Sequence, residues 1–105
     1  MLPKDISPHD ARLHLSGDAV LFDVREPDEW QAVHVADSTL IPLDSVLERL
    51  NEFPKACDII LICRSGRRSG LAQESLRLHG FDRVSNVTGG ILAWQEAGLP
   101  VVEGP

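Results

Sequence analysis

The chain has 105 residues, of which 25% are charged and 43% hydrophobic, and its 16 acidic residues outnumber 10 basic ones to give a formal net charge of -6. A chain of this length can bury roughly two thirds of the surface that its unfolded form exposes, so we expect one domain over residues 1–105 that needs no disulfide or metal. The acidic balance argues against nucleic-acid and membrane partners. The sequence also lacks an apolar run of ~20 residues and a secretory signal.

Strand-like and helix-like segments alternate, which predicts an α/β fold with a mainly parallel sheet. Ser7 and Pro8 are typical of a helix start, and Gly80 and Gly98 of helix ends. The elements predicted in chain order are a helix from Pro8 to before Gly17, a strand over 19–24, a short helix within 27–31, a weak strand over 39–42, a helix face at Leu43, Val46, Leu47 and Leu50, a strand over 58–62, a helix over 68–79, a strand over 83–87 and a helix over 90–97.

The segment 58–62 is almost entirely apolar, as expected of a central strand covered on both faces by helices. Ligands of open α/β sheets bind beyond the carboxyl ends of the strands, and the residue at that point is Cys63. Further along, a glycine cap at Gly80 predicts a contact between Phe81 and Leu76. The sequence therefore places its chemistry directly after the central strand.

Two cysteines, Cys57 and Cys63, flank this apolar segment. In a strand their sulfurs would lie roughly 20 Å apart, too far for a disulfide. Free thiols without a secretory signal favour a reducing cytoplasm. The four histidines are scattered, so we predict neither a zinc site nor another cofactor, and Cys57 is interpreted as a packing residue.

Residues 63–69 read Cys-Arg-Ser-Gly-Arg-Arg-Ser and hold three of the ten basic residues of an acidic chain. A loop that leads from a strand into a helix can turn backbone N–H groups inward and hold an anion, helped by about half a positive charge at the helix start. We expect the Cys63 sulfur at the mouth of this cradle, as a thiolate near neutral pH and a nucleophile. The predicted binding residues are Arg64, Ser65, Gly66, Arg67, Arg68 and Ser69.

These residues resemble the active-site loop of the rhodanese (thiosulfate sulfurtransferase) family in its single-domain form. The likeness covers nearly the whole chain and includes Asp-Val-Arg-Glu-Pro-Asp-Glu-Trp at 23–30 and Gly-Gly-Ile-Leu-Ala-Trp at 89–94. It implies a three-layer fold, with a five-stranded mainly parallel sheet flanked by helices, and a persulfide on Cys63. One stretch departs from the family: where relatives usually read Gly-His-Ile-Pro-Gly-Ala, residues 33–38 read Val-His-Val-Ala-Asp-Ser.

Outside the loop, the motif residues are interpreted as structural. Asp23 and Arg25 are expected to brace loops near the site rather than to take part in bond making. Trp30 and Trp94 are expected to pack in or near the core. The Gly89-Gly90 pair is too short to be a nucleotide-binding motif and predicts a tight turn into a helix.

The predicted reaction is sulfur transfer in two halves. Cys63 takes the outer sulfur of a small anionic donor such as thiosulfate, and a thiol or cyanide acceptor then removes it; Arg64, Arg67 and Arg68 would attract and orient the donor. One alternative is a sulfur-carrier or regulatory module loaded by a partner protein in a sulfur relay. The other, a cysteine phosphatase or arsenate reductase, is less favoured because such phosphatases resemble this loop with arginine at the position of Ser69.

Overall fold

A five-stranded sheet, parallel at every strand pairing, runs through the middle of the protein in the order β1-β5-β4-β2-β3. The computed structural model describes residues 2–104. Its elements are β1 (Asp5–Ile6), α1 (Pro8–Leu15), β2 (Val20–Asp23), α2 (Pro27–Ala32), β3 (Thr39–Leu40), two 3-10 turns (Leu43–Ser45 and Leu47–Glu52), β4 (Ile59–Ile62), α3 (Arg67–Leu78), β5 (Val84–Val87) and α4 (Gly90–Glu96). The predicted α/β fold is confirmed. Between residues 2 and 104, no helix is long and apolar enough to cross a membrane.

Strand β4 is the central strand, and all four of its residues are buried. Ile59 and Leu61 belong to the core between the sheet, α3 and the 3-10 turns. Ile60 and Ile62 belong to the core that α1 and α4 cover. Because successive side chains of a strand point to opposite faces, a strand between two helical layers is apolar at every position. This confirms the three layers and the central strand.

The helix ends follow local capping chemistry. The Ser7 hydroxyl accepts a hydrogen bond of 3.1 Å from the backbone N–H of Asp10, which fixes the start of α1. At the end of α3, Gly80 has φ of 91° and the Phe81 N–H donates to the Leu76 carbonyl at 3.0 Å. Leu76 and Phe81 lie in the same core cluster, so the predicted cap is confirmed.

The predicted helix face at Leu43, Val46, Leu47 and Leu50 is wrong. The segment forms two 3-10 turns, and its backbone is non-helical at Arg49, where φ is -120°. Val46 is buried, whereas Leu47 is 55% exposed. A short 3-10 turn places residues three apart above one another, so it cannot keep four residues spaced for an α-helix on one face.

Strand β1 was not predicted from the residues; only the family resemblance implied a fifth strand. It consists of two residues and pairs in parallel with β5. The N–H groups of Asn86 and Thr88 donate to the carbonyls of Lys4 and Ile6 at 2.7 and 2.9 Å. Two residues are too few to show a period, so this strand exists because β5 offers an edge to pair with.

The atypical segment 33–38 forms a turn in which the Ser38 N–H donates to the Val35 carbonyl at 3.1 Å. Asp37, at the third position of this turn, has φ of 68° and takes the left-handed conformation. Asp is among the few residues with a side chain that tolerate it. His34 is held as well, because its Nδ1 lies 2.7 Å from the Trp30 carbonyl and its ring stacks on Trp30.

The left-handed backbone at Asp37 predicts the effect of three substitutions on the free energy of unfolding, measured in urea. We expect Asp37→Val to destabilise the protein by about 1–2 kcal/mol, because a β-branched side chain fits this conformation poorly. Asp37→Gly should stabilise it, because glycine adopts this conformation without strain. The gain should be at most about 1 kcal/mol, because glycine also has more conformational freedom in the unfolded chain, which opposes folding. Asp37→Asn is the control, with little change expected. An Asp37→Val protein as stable as the parent would contradict this account.

Candidate active site

Cys63 follows β4 directly, and residues 64–66 form the loop that leads into α3. The residue is only 1% exposed. The prediction that the sulfur lies at the open mouth of the cradle is therefore wrong, because the Cys63 side chain is buried. The reason is that the loop turns back, so that the Gly66 N–H donates to Cys63 Sγ at 3.1 Å.

Backbone N–H groups surround the Cys63 sulfur and favour its charged form. Burial alone would raise the pKa of the thiol, but hydrogen bonds from the Ser69 hydroxyl and from the N–H groups of Ser69, Gly66 and Ser65 outweigh it, so the pKa lies below that of an ordinary thiol. Gly66 has φ of 99°, which a residue with a side chain rarely adopts. The sequence thus places a glycine where the loop needs one to aim its amides inward.

The start of α4 holds the other side of this loop. The N–H groups of Ile91 and Leu92 donate to the carbonyls of Cys63 and Arg64 at 2.8 and 3.2 Å. A trans peptide directs its N–H opposite to its C=O, so a hydrogen bond on the Arg64 carbonyl turns the Ser65 N–H toward the sulfur. The two carbonyls come so close that a Cβ on Gly90 would overlap them.

The Gly89-Gly90 pair is therefore more than a tight turn into a helix. Both residues have positive φ, as a turn requires, but Gly90 also allows the active-site loop to approach α4. Sequence reasoning missed this second function. The sequence did contain a signal for it: two adjacent glycines stand at the start of the helix in the motif at 89–94.

Asn86 on β5 is a site residue that the sequence did not indicate. Its side chain is largely buried, its Nδ2 donates to the Gly66 carbonyl at 2.9 Å, and its Oδ1 lies 2.5 Å from the Ser69 hydroxyl oxygen. That hydroxyl oxygen also lies 3.2 Å from Cys63 Sγ. Asn86 contacts the loop only because β5 lies beside β4, which no local sequence pattern reveals.

The three loop arginines differ in their surroundings. Arg68 forms a two-point ion pair with Glu29 of α2, at 2.7 and 2.9 Å. This hydrogen-bonded partner lowers the pKa of Glu29 to about 2, so the pair stays charged at neutral pH. Arg64 and Arg67 are exposed, and within the described part of the chain neither forms an ion pair.

Asp23 and Arg25 form a buried ion pair beside the loop, at 2.8 Å. Asp23 ends β2, and its neighbour in the sheet is Ile62, the residue before the cysteine. The Arg25 guanidinium also donates to the Val33 carbonyl at 2.7 Å, which ties the end of α2 to β2. The supporting role that we expect for this pair stays a prediction.

Cys57 and the two tryptophans have the structural positions that the sequence predicted for them. Cys57 is half-buried at the opposite end of β4, and both cysteines are free, as predicted. Trp94 is buried and Trp30 half-buried, as expected of packing residues. Among the residues from 2 to 104, no three His, Cys, Asp or Glu side chains are grouped to hold a metal ion.

Comparisons with known proteins show the family of this chain. The family model of the Rhodanese-like domain matches residues 7–97, and the chain belongs to this family. A protein of Allochromatium vinosum named "Sulfurtransferase" is 40% identical over 91 residues, which cover 87% of this chain and 85% of that protein. The crystal structure of a rhodanese-related protein from Thermoplasma volcanium superposes with a TM-score of 0.88 at 32% identity, over 95% of this chain and 98% of that one.

Other relatives carry more than this domain. A Bacillus subtilis protein named "Putative sulfur carrier protein YrkF" is 39% identical over 74 residues, 70% of this chain but only 40% of its own length. The chain thus spans less than half of that relative. The domain occurs both nearly alone and as one part of a longer protein.

The contact between the loop and α4 predicts that Gly90→Ala is more damaging than an ordinary glycine substitution. Its methyl group would push against the Cys63 and Arg64 carbonyls, and with the positive φ we expect a loss of about 2 kcal/mol or more of unfolding free energy. Gly98→Ala is the matched control: φ there is 76° with nothing within 4 Å of the added Cβ, so a loss of about 1 kcal/mol is expected. Equal losses in urea unfolding would contradict the argument.

Proposed function

We propose that the protein is a sulfurtransferase in which Cys63 carries the transferred sulfur. The Cys63 thiolate attacks the outer sulfur of an anionic donor such as thiosulfate. The donor S–S bond breaks, its electron pair leaves with sulfite, and Cys63 becomes a persulfide. An acceptor thiolate or cyanide then attacks the outer sulfur of this persulfide and returns Cys63 to the thiolate.

One observation carries this proposal: several N–H groups converge on a single buried sulfur. The Gly66 N–H lies 3.1 Å from it, and the N–H groups of Ser65 and Ser69 also favour its negative charge. Preorganised donors of this kind stabilise the negative charge of the Cys63 sulfur, both before it attacks the donor and after the acceptor has removed the transferred sulfur. No histidine base is required, because the loop itself favours the thiolate.

The burial of Cys63 sets a condition on this chemistry. At 1% residue exposure Cys63 offers little surface to a donor, so we infer that the loop or the cysteine side chain shifts during the reaction. The residues that follow Cys63, Arg64 and Ser65, are exposed and belong to no helix or strand. In the proposed reaction this short segment moves to admit the donor sulfur.

The three loop arginines contribute unequally to attracting the donor. Arg64 and Arg67 are exposed beside the sulfur in a chain of net charge -6, so they form a local positive region. Arg68 is neutralised by Glu29 and is better suited to holding α2 against the loop. We assign donor attraction chiefly to Arg64 and Arg67, with Arg68 contributing once a bound anion competes with Glu29.

A second candidate function is sulfur carriage for a partner protein. A buried sulfur under two exposed arginines suits a donor that brings its persulfide on an acidic protein surface as well as it suits a free anion. The relative named as a putative sulfur carrier supports this alternative. Both functions use Cys63 as the acceptor of sulfur, so they differ only in the donor.

A phosphatase or arsenate reductase stays the least favoured alternative. The loop places Arg68 one residue earlier than the phosphatase pattern, at whose arginine position stands the buried Ser69. Arg68 is moreover hydrogen-bonded to the Glu29 carboxylate through both of its terminal nitrogens. The loop is therefore better suited to a sulfur-sized anion than to a phosphoryl group.

The proposed mechanism predicts that thiosulfate adds the mass of one sulfur atom to Cys63 and that cyanide removes it. We expect Cys63→Ser to lose the mass gain and to reduce sulfur transfer more than about a hundredfold. Cys57→Ser should keep both, because Cys57 lies at the other end of β4.

The alternatives are separated by giving the same variants a partner persulfide or an aryl phosphate in place of thiosulfate. Sulfur gained from a partner persulfide but not from thiosulfate would establish the carrier function instead. Rapid hydrolysis of an aryl phosphate that disappears in Cys63→Ser would refute sulfur transfer in favour of a phosphatase.

The exposed arginines predict an effect on the KM for thiosulfate. We expect the double variant Arg64→Ala/Arg67→Ala to raise KM about fivefold or more at low salt, since two exposed charges that together contribute about 1 kcal/mol to anion binding in water change affinity about fivefold. The difference should shrink at high salt. Arg12→Ala, which removes an exposed charge from α1, is the control and should leave KM unchanged. An unchanged KM in the double variant would contradict this assignment.

A further inference from the structure

The side chain of Asn86 connects the two parts of the loop that meet at Cys63. It is 8% exposed and reaches from β5 between the first turn of α3 and the Gly66 peptide. Its Nδ2 donates to the Gly66 carbonyl, so the amide is oriented with its oxygen toward Ser69. This oxygen is an acceptor only and cannot donate to the Ser69 hydroxyl.

The Ser69 hydroxyl is within hydrogen-bond distance of two acceptors but has one proton. Its oxygen lies 2.5 Å from Asn86 Oδ1 and 3.2 Å from Cys63 Sγ. Two oxygens at 2.5 Å need a proton between them, so the hydroxyl donates to Asn86. In the contact with the sulfur, the Cys63 S–H then donates to the Ser69 hydroxyl oxygen. This arrangement requires Cys63 to be a thiol.

A thiolate cannot keep this arrangement. Once Cys63 has lost its proton to solvent, its sulfur only accepts, and the Ser69 hydroxyl stabilises it only by turning its O–H away from Asn86. The Asn86 oxygen then loses its donor while its nitrogen stays bound to the Gly66 carbonyl. Asn86 and the thiolate therefore compete for the same proton.

We propose that Asn86 is a positioning residue for Cys63: it accepts the Ser69 O–H while Cys63 is a thiol, and this O–H turns to the sulfur when Cys63 ionises. Asn86 thereby opposes ionisation through Ser69 while it supports the loop through Gly66. The proposal deepens the proposed function, on which the role of Cys63 as the reacting sulfur rests.

The charged groups near the sulfur act on it independently of Asn86. From α3 it faces Arg68, which is paired with Glu29 of α2. The buried pair of Asp23 and Arg25 lies at the end of β2, where Asp23 is the sheet neighbour of Ile62. Arg64 and Arg67 belong to the Cys63 loop itself. Strand β5 and the first turn of α4 bring no charged side chain, since Val84–Val87 and Gly90–Trp94 hold none. A substitution at Asn86 leaves all of these groups in place.

The test is a titration of the Cys63 thiolate by its ultraviolet absorbance, in a Cys57→Ser protein so that one thiol is observed. We expect Asn86→Ala to lower the titration midpoint by about one pH unit, because the Ser69 hydroxyl is then free for the thiolate. Asn86→Leu, which keeps the branching at Cγ but has no polar atom, should do the same. Asn51→Ala, at an exposed position, is the control and should leave the midpoint unchanged.

Repeating the Asn86 substitutions in a Ser69→Ala protein tests whether Asn86 acts through the Ser69 hydroxyl. Ser69→Ala alone should raise the midpoint, and in its presence Asn86→Ala or Asn86→Leu should no longer lower it. If Asn86 only braces the loop, its loss weakens the amide contacts and both variants raise the midpoint or leave it unchanged, which would overturn the proposal. So would a lowering that persists without the Ser69 hydroxyl. The titration requires no turnover, so its failure is distinguishable from failure of the sulfur-transfer proposal.

Discussion

The site depends on the hydrogen bonds by which the start of α4 fixes the carbonyl groups of the loop. The Ile91 and Leu92 N–H groups hold the carbonyls of Cys63 and Arg64. Because each peptide is planar, fixing a carbonyl on one side fixes the next N–H on the other. The inward direction of the loop amides is therefore set by a neighbouring helix and not by the loop sequence alone. Gly90 is the residue that allows this approach.

This constraint explains how a buried sulfur can favour its charged form. Burial opposes the thiolate, and a free arginine beside the sulfur would be the strongest compensation. The loop relies instead on the hydroxyl of Ser69 and on the backbone N–H groups of Ser65, Gly66 and Ser69, while Arg68 is paired with Glu29. Fixed amides do not need to reorganise when charge moves between the cysteine and an incoming sulfur. Mobile arginines are left at the surface, where they attract anions.

The sequence was sufficient where short-range chemistry decides the structure. The apolar run of β4, the cap at Ser7 and the glycine at the end of α3 were each predictable from adjacent residues. It was insufficient where a distant partner decides. Two-residue β1 needs the edge of β5, Asn86 reaches the loop across the sheet, and burial of Cys63 follows from how the loop closes.

The three motifs that carried the family resemblance meet around one sulfur. Residues 23–30 reach the loop through Glu29 and Arg68, and residues 89–94 reach it through the Ile91 N–H and the Cys63 carbonyl. Their separation along the chain reflects the order of a parallel sheet, whose strand ends converge at one edge. A substitution in either outer motif should therefore be judged by what it does to the direction of the loop amides. By this criterion the altered segment 33–38 touches the site only indirectly, through the contacts of Val33 with Arg25 and of His34 and Ser38 with Trp30.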